Sequence, residues 1–98
     1  MTINKKINGT TLIAEVEGRI DTVTVADAEG ALKGSLDGIT ELILDFTGLD
    51  YISSAGLRLL LSLQKIMNQQ GSMKIRNVNE IVAEIFEVTG FSDILTIE

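Results

Sequence analysis

The sequence contains no cysteine, no histidine and no proline, and only 4% of its 98 residues are aromatic. Each absence excludes something. Without cysteine there is no disulfide framework, no thiolate nucleophile and no cysteine-based zinc site. Without histidine, the usual base of serine and cysteine hydrolases and the commonest metal ligand is missing. Proton transfer near neutral pH would fall to carboxylates, lysine or the single tyrosine. The scarcity of rings leaves no stacking platform for single strands. A formal net charge of −6 is wrong for a phosphate-backbone binder. Nucleic acid is therefore not expected as a partner, whereas an acidic surface steers towards a basic region on another protein. The longest near-apolar stretch, Gly56 to Leu63, is short and contains Arg58, so no membrane insertion is expected. Met1 to Ile7 carries no apolar run and no cleavage signature, and the expected location is the cytoplasm.

What is present suits one domain spanning residues 1–98. With 45% hydrophobic and 22% charged residues, a chain of this length buries roughly 60–70% of the surface its unfolded form exposes, enough for one modest core. Met1 to Lys6 reads as an edge strand, Asn8-Gly9 as a turn and Thr11 to Glu17 as its β-rich partner. Asp21 or Thr22 can cap a helix running from Val23 to Leu36, with Gly38 beyond it. Glu41 to Phe46 is a short, nearly continuous apolar run, which predicts a strand covered on both faces. A loop over Thr47 to Tyr51 then leads through Ser53-Ser54 into a helix from Ala55 to Gln69. That helix is apolar over more than half its circumference near its start. Met73 to Val78 reads as a further strand, and Asn79 as the cap of an amphipathic helix that Gly90 ends. Phe91 to Ile97 supplies a last turn and a terminal strand. Strands alternating with helices after an opening hairpin give a mixed, mainly parallel α/β sheet with helices packed against it.

The sharpest feature is the succession strand, loop, Ser53-Ser54-Ala55-Gly56, helix. A hydroxyl at a helix start accepts an N–H of the first turn, worth about 1 kcal/mol, and this cap role alone accounts for Ser54, directly before the helix expected from Ala55. The same unpaired N–H groups and positive dipole end can also hold a phosphoryl group added to that hydroxyl. Phosphate brings about −1.5 to −2 charges, next to Asp50 and, if the loops at the strand ends are neighbours, near Asp21 and Asp45. A partner docked at that edge would then be expelled. Asp45 and Asp50 admit a second reading, as a metal-binding or phospho-accepting acidic pocket. Against it, the acidic pair that a receiver domain carries after its first strand is absent, and Lys74 lies inside its strand; Asp45 is better read as capping a turn. The glycines between Gly48 and Gly56 lack the spacing and the lysine of a P-loop, and no cofactor is expected. Gly18-Arg19-Ile20-Asp21-Thr22 is accounted for by a turn glycine and an aspartate cap. Tyr51 and Ile52 read equally well as core or as an exposed apolar patch.

Four segments in order resemble the STAS family, specifically the bacterial anti-sigma factor antagonists. They are Gly18-Arg19-Ile20-Asp21, Leu42-Ile43-Leu44-Asp45-Phe46, Leu49 through Leu57, and Ile85 through Ile94. The resemblance implies a STAS-like four- or five-stranded sheet flanked by helices and a protein that is not an enzyme. It further implies a partner switch. The unmodified antagonist binds an anti-sigma factor, which is also a serine kinase using ATP and magnesium; phosphorylation separates the pair, and a phosphatase restores the antagonist. The phospho-acceptor position falls on Ser54. Ser53 stands where the family commonly has aspartate, which makes Ser53 a second candidate. The partner surface implied around it comprises Asp21, Asp50, Tyr51, Ile52, Ser53, Ala55, Gly56, Leu57, Arg58 and Leu61. Some STAS domains are never phosphorylated and serve as subunits of larger assemblies such as lipid transport complexes, which is the alternative function.

Overall fold

The computed structural model of the chain describes all residues, 1–98. Strands β1 (Thr2–Asn8) and β2 (Thr11–Ile20) form the opening hairpin, turned by Gly9 at φ 65°, where a side chain would be strained. Helix α1 (Val25–Lys33) crosses back to β3 (Glu41–Asp45), which pairs parallel to the first half of β2. Strand β4 (Leu49–Ile52) pairs parallel to the second half. Helix α2 (Ser54–Gln70) returns the chain to β5 (Ser72–Arg76), parallel to β3. Helix α3 (Glu80–Thr89) and a 3-10 turn (Phe91–Asp93) follow, and Ile97 bridges to Ile75. The main sheet has the order β1-β2-β3-β5, with β4 extending it along β2. The fold is thus the expected mixed, mainly parallel one, and residues 47–51, expected as loop, contain a fifth strand.

Register explains the core. Leu12, Leu42 and Met73 lie side by side across three strands, as do Ala14, Leu44 and Ile75, and all six are buried. Side chains alternate across a strand, so Ile13, Ile43 and Lys74 occupy the opposite face, where they are only half-buried. The continuous apolar run Glu41 to Phe46 therefore does not mark a strand covered on both faces, as its composition predicts. One face takes the helices, and the other is a half-wet surface laced by ion pairs such as Lys74–Glu41 at 3.6 Å.

Helix α2 packs on β4, β5 and α1. That second neighbour is why so much of its circumference is apolar: Leu57, Leu59, Leu60, Leu63 and Met67 are all buried. Helix α1 is shorter than the apolar spacing predicts. Its N-cap is Thr24, without a side-chain cap bond, and Val23 stands 83% exposed before it. Asn79 caps α3 by accepting the Val82 N–H at 2.8 Å, and its amide also donates to the Leu49 carbonyl at 2.8 Å, tying α3 to β4. Gly90 ends α3 in the left-handed conformation, φ 80°, as its position predicts.

Candidate functional site

The site is built where β2 and β4 end together. Ser53 leaves β4, and three bonds hold it. Its N–H donates to the Ile20 carbonyl at 2.8 Å, its carbonyl accepts from the Leu57 N–H at 2.9 Å, and its hydroxyl accepts from the Gly56 N–H at 3.4 Å. Ser53 is thus the N-cap of α2. This corrects the assignment of that role to the Ser54 hydroxyl. Ser54 is the first residue inside the helix and is exposed, and its hydroxyl has no partner within the chain. The approach of the helix start is set by Gly56. A Cβ there would stand 2.5 Å from Ile52 Cγ1 and 2.9 Å from Ile20 Cγ2, so only glycine allows α2 to begin this close to the strand ends.

At the paired ends of β2 and β4, charge is brought together on the sheet face opposite the buried Ile20 and Ile52. The Arg19 guanidinium lies over the Tyr51 ring, 4.6 Å from its centroid, a cation–π contact, and its Nε is 3.8 Å from Asp21 Oδ2. Asp21 Oδ1 accepts the Val23 and Thr24 N–H groups at 2.9 and 3.0 Å, while the Thr24 hydroxyl donates to the Arg19 carbonyl at 2.8 Å. The Thr24 N–H first, and the Val23 N–H after it, hold the Asp21 carboxyl below the ordinary carboxylate range. Asp21 is therefore a fixed anion that orders the loop before α1. Asp50 is exposed on β4, and Arg58 is exposed on α2, four residues after Ser54 and hence on the same side of the helix. Arg58 also borders a groove of about 240 Å³ between α1 and α2, lined by Val25, Glu29, Leu59 and Ser62.

The residues named from the sequence divide in two. Asp21, Asp50, Tyr51, Ser53, Ser54, Arg58 and Leu61 are exposed or half-exposed. Ile52, Ala55, Gly56 and Leu57 are buried. They underlie the junction, and Ala55 also lines the groove between α1 and α2. Ile52 belongs to the core, while Tyr51 is half-exposed under Arg19. Arg19 joins the site without having been expected there; only the pairing of β2 with β4 brings it against Tyr51.

Asp45 lies elsewhere. It pairs with Glu15 in the register of β2, whereas Ile52 pairs with Ile20. Asp50, between Leu49 and Tyr51, stands at the level of Gly18 and Arg19, three to four residues or about 10–13 Å along β2 from that of Asp45. The Asp45 carboxylate is buried and accepts from the Thr47 hydroxyl at 2.6 Å, the Thr47 N–H at 3.0 Å, the Asn77 amide at 3.1 Å and Arg76 Nε at 3.3 Å. Burial pushes its pKa up, but these bonds outweigh it and hold the carboxyl at about 2. With its oxygens so engaged, Asp45 caps the turn between β3 and β4. Asp45 and Asp50 are thus at different levels of the sheet, and the Asp45 oxygens are taken up by Thr47, Asn77 and Arg76.

Residues 2–98 match the STAS domain family. A candidate anti-sigma factor antagonist of Bordetella bronchiseptica, BtrV, is 37% identical over 94 residues, covering 94% of this chain and 80% of that protein. Among solved structures, an anti-sigma factor antagonist from Mycobacterium paratuberculosis superposes with a TM-score of 0.88 at 18% identity, over 98% of this chain and 83% of that one. The antagonist SpoIIAA in its unphosphorylated form gives 0.84 at 17% identity, over 99% and 88%. Its phosphorylated form, from Bacillus, gives 0.76 at 16%, over 99% and 91%. At such identities these structures speak for the fold. No helix here is long and apolar enough to cross a membrane. The fold, the family match and the similarity to BtrV agree, and the chain belongs to the STAS domain family, among relatives that are anti-sigma factor antagonists.

Proposed function

We propose that the chain binds an anti-sigma factor through the surface around the β4–α2 junction and is released when that partner, acting as a serine kinase, phosphorylates Ser54. The observation that carries this reading is the contrast between the adjacent serines. Ser53 is half-buried with its hydroxyl committed to capping α2, while Ser54 is exposed with a hydroxyl that no other group of the chain engages. The acceptor is therefore Ser54 rather than Ser53. The contact surface consists of Arg19, Asp21, Asp50, Tyr51, Arg58 and Leu61. A phosphoryl group on Ser54 adds about −1.5 to −2 charges at the helix N-terminus, which tolerates them, so the domain stays folded. The same charge stands beside Asp50 and Asp21 and repels whatever anionic or desolvated groups the partner had placed there. A phosphatase resets the switch. The chain works in the cytoplasm, performs no turnover of its own, and leaves ATP and magnesium to the kinase. SpoIIAA, solved in both forms, is a precedent for such a state on this fold.

The test uses the anti-sigma factor captured from the source cell. After incubation with Mg-ATP, mass spectrometry should place one phosphate on Ser54. Calorimetry should show Ser54→Ala binding as the parent does and Ser54→Asp binding more weakly. Aspartate has less charge and fewer oxygens than phosphate, so it reproduces part of the effect. A phosphate on Ser53, or Ser54→Asp binding as tightly as the parent, would overturn the assignment.

A further inference from the structure

Charge is distributed very unevenly along this chain. After Arg76 come five carboxylates, Glu80, Glu84, Glu87, Asp93 and Glu98, and no lysine or arginine, so the last 22 residues hold −5 of the net −6. Glu98 reaches Lys74 at 3.6 Å, while Glu80, Glu84 and Glu87 are exposed and face only water. The same segment also carries half of the chain's exposed large apolar side chains: Ile81 at 60%, Val88 at 75% and Ile94 at 48%. Ile81, Ile85 and Val88 recur at four and three residues on α3, so they form one stripe about 10 Å long. Val82 and Phe86, on the neighbouring face, are buried and anchor the helix. Helical spacing puts Glu80, Glu84 and Glu87 along the other margin of the stripe. The 3-10 turn, which Ile94 directly follows, packs against α3.

An apolar stripe beside a wholly acidic margin has a chemical complement. We propose that α3 and the 3-10 turn form a second docking surface, whose occupant is a cationic amphipathic helix of a partner protein. Such a helix carries apolar residues at i, i+4, i+7 that pack along Ile81, Ile85 and Val88, and lysines or arginines on one flank that face Glu80, Glu84 and Glu87. A second copy of this chain is the wrong partner, because it would set two rows of carboxylates against each other. An anionic lipid surface is repelled for the same reason. This surface is independent of the Ser54 switch and does not require it.

The experiment uses the isotope-labelled full chain and a synthetic peptide of about 14 residues patterned with leucine and lysine as an amphipathic helix. Its leucine–glutamate counterpart serves as control. In two-dimensional amide NMR, the lysine peptide should move resonances of residues 80–94 and leave those around Ser54 in place, and the glutamate peptide should move none. Ile81→Ser with Val88→Ser, both at exposed positions, should weaken the lysine peptide about tenfold or more while melting at nearly the parent temperature. Glu84→Gln with Glu87→Gln should weaken it at low salt and flatten its dependence on ionic strength. Three results would each overturn the proposal. One is shifts centred on the open sheet face or spread over the whole surface. Another is serine variants that bind like the parent, which would mean charge attraction alone. The third is a parent that sediments as a dimer lost on the serine substitutions, which would make a second copy the occupant.

Discussion

Replacing Asp45 by asparagine tests how the turn that leads into β4 is held. The side chain keeps its size, but an amide nitrogen takes the place of one acceptor oxygen, and the charge that faces Arg76 and accepts from Thr47 and Asn77 is gone. The native carboxyl titrates at about 2 against an ordinary 3.8. At 1.36 kcal/mol per unit, that difference is about 2 kcal/mol of stability. A depressed carboxyl pKa contributes its stability above the unfolded value and loses it as pH falls through the folded one. The contribution should therefore be complete at neutral pH and vanish between about pH 4 and pH 2. For a domain of this length, about 2 kcal/mol corresponds to roughly 8–16 °C in Tm. Calorimetric melting of the parent and Asp45→Asn across that range isolates the effect, since all other carboxylates titrate in both proteins. At neutral pH the variant should melt lower by that amount, and the two curves should converge towards pH 2. Equal Tm values at pH 7, or a gap that persists unchanged at pH 2, would refute the argument that the charge of Asp45 holds the turn.

The cap correction makes adjacent serines behave differently: Ser53→Ala should lower stability by about 1 kcal/mol in urea titration, whereas Ser54→Ala should stay within about 0.5 kcal/mol of the parent. The reverse order would mean that Ser54 is the cap. Leu57→Ala should cost about 2–5 kcal/mol, as for other core truncations, while Arg58→Ala should leave urea stability nearly unchanged and weaken calorimetric binding of the anti-sigma factor. Leu57→Ala with parental stability and lost binding would place Leu57 at the interface instead of in the core.

The order of elements was legible in the sequence because local chemistry writes it. The Asn8-Gly9 turn, the Asn79 cap and the left-handed Gly90 are found where their residue types predict, since each depends on a few neighbouring backbone groups. The serines were recognisable for the same reason. The division of labour between them was not: whether Ser53 or Ser54 caps depends on where the first turn closes, and Ile52 and Ile20 against Gly56 decide that. Burial likewise escaped the linear pattern. Glu41 to Phe46 reads as doubly covered, yet the helices lie on one face, and α1 packs against part of the apolar surface of α2. Asp45 and Asp50 look like a pair in the chain but are set apart by register along β2, whereas Arg19 and Tyr51, distant in the chain, are stacked by it. The sequence by itself determined the order of most elements, the Asn79 cap, the Gly90 terminus and the family resemblance, because those rest on residue types within a few positions of one another. Which side chains meet solvent around Ser54 was decided by the tertiary structure, because strand register and helix–helix packing are settled by the whole core at once.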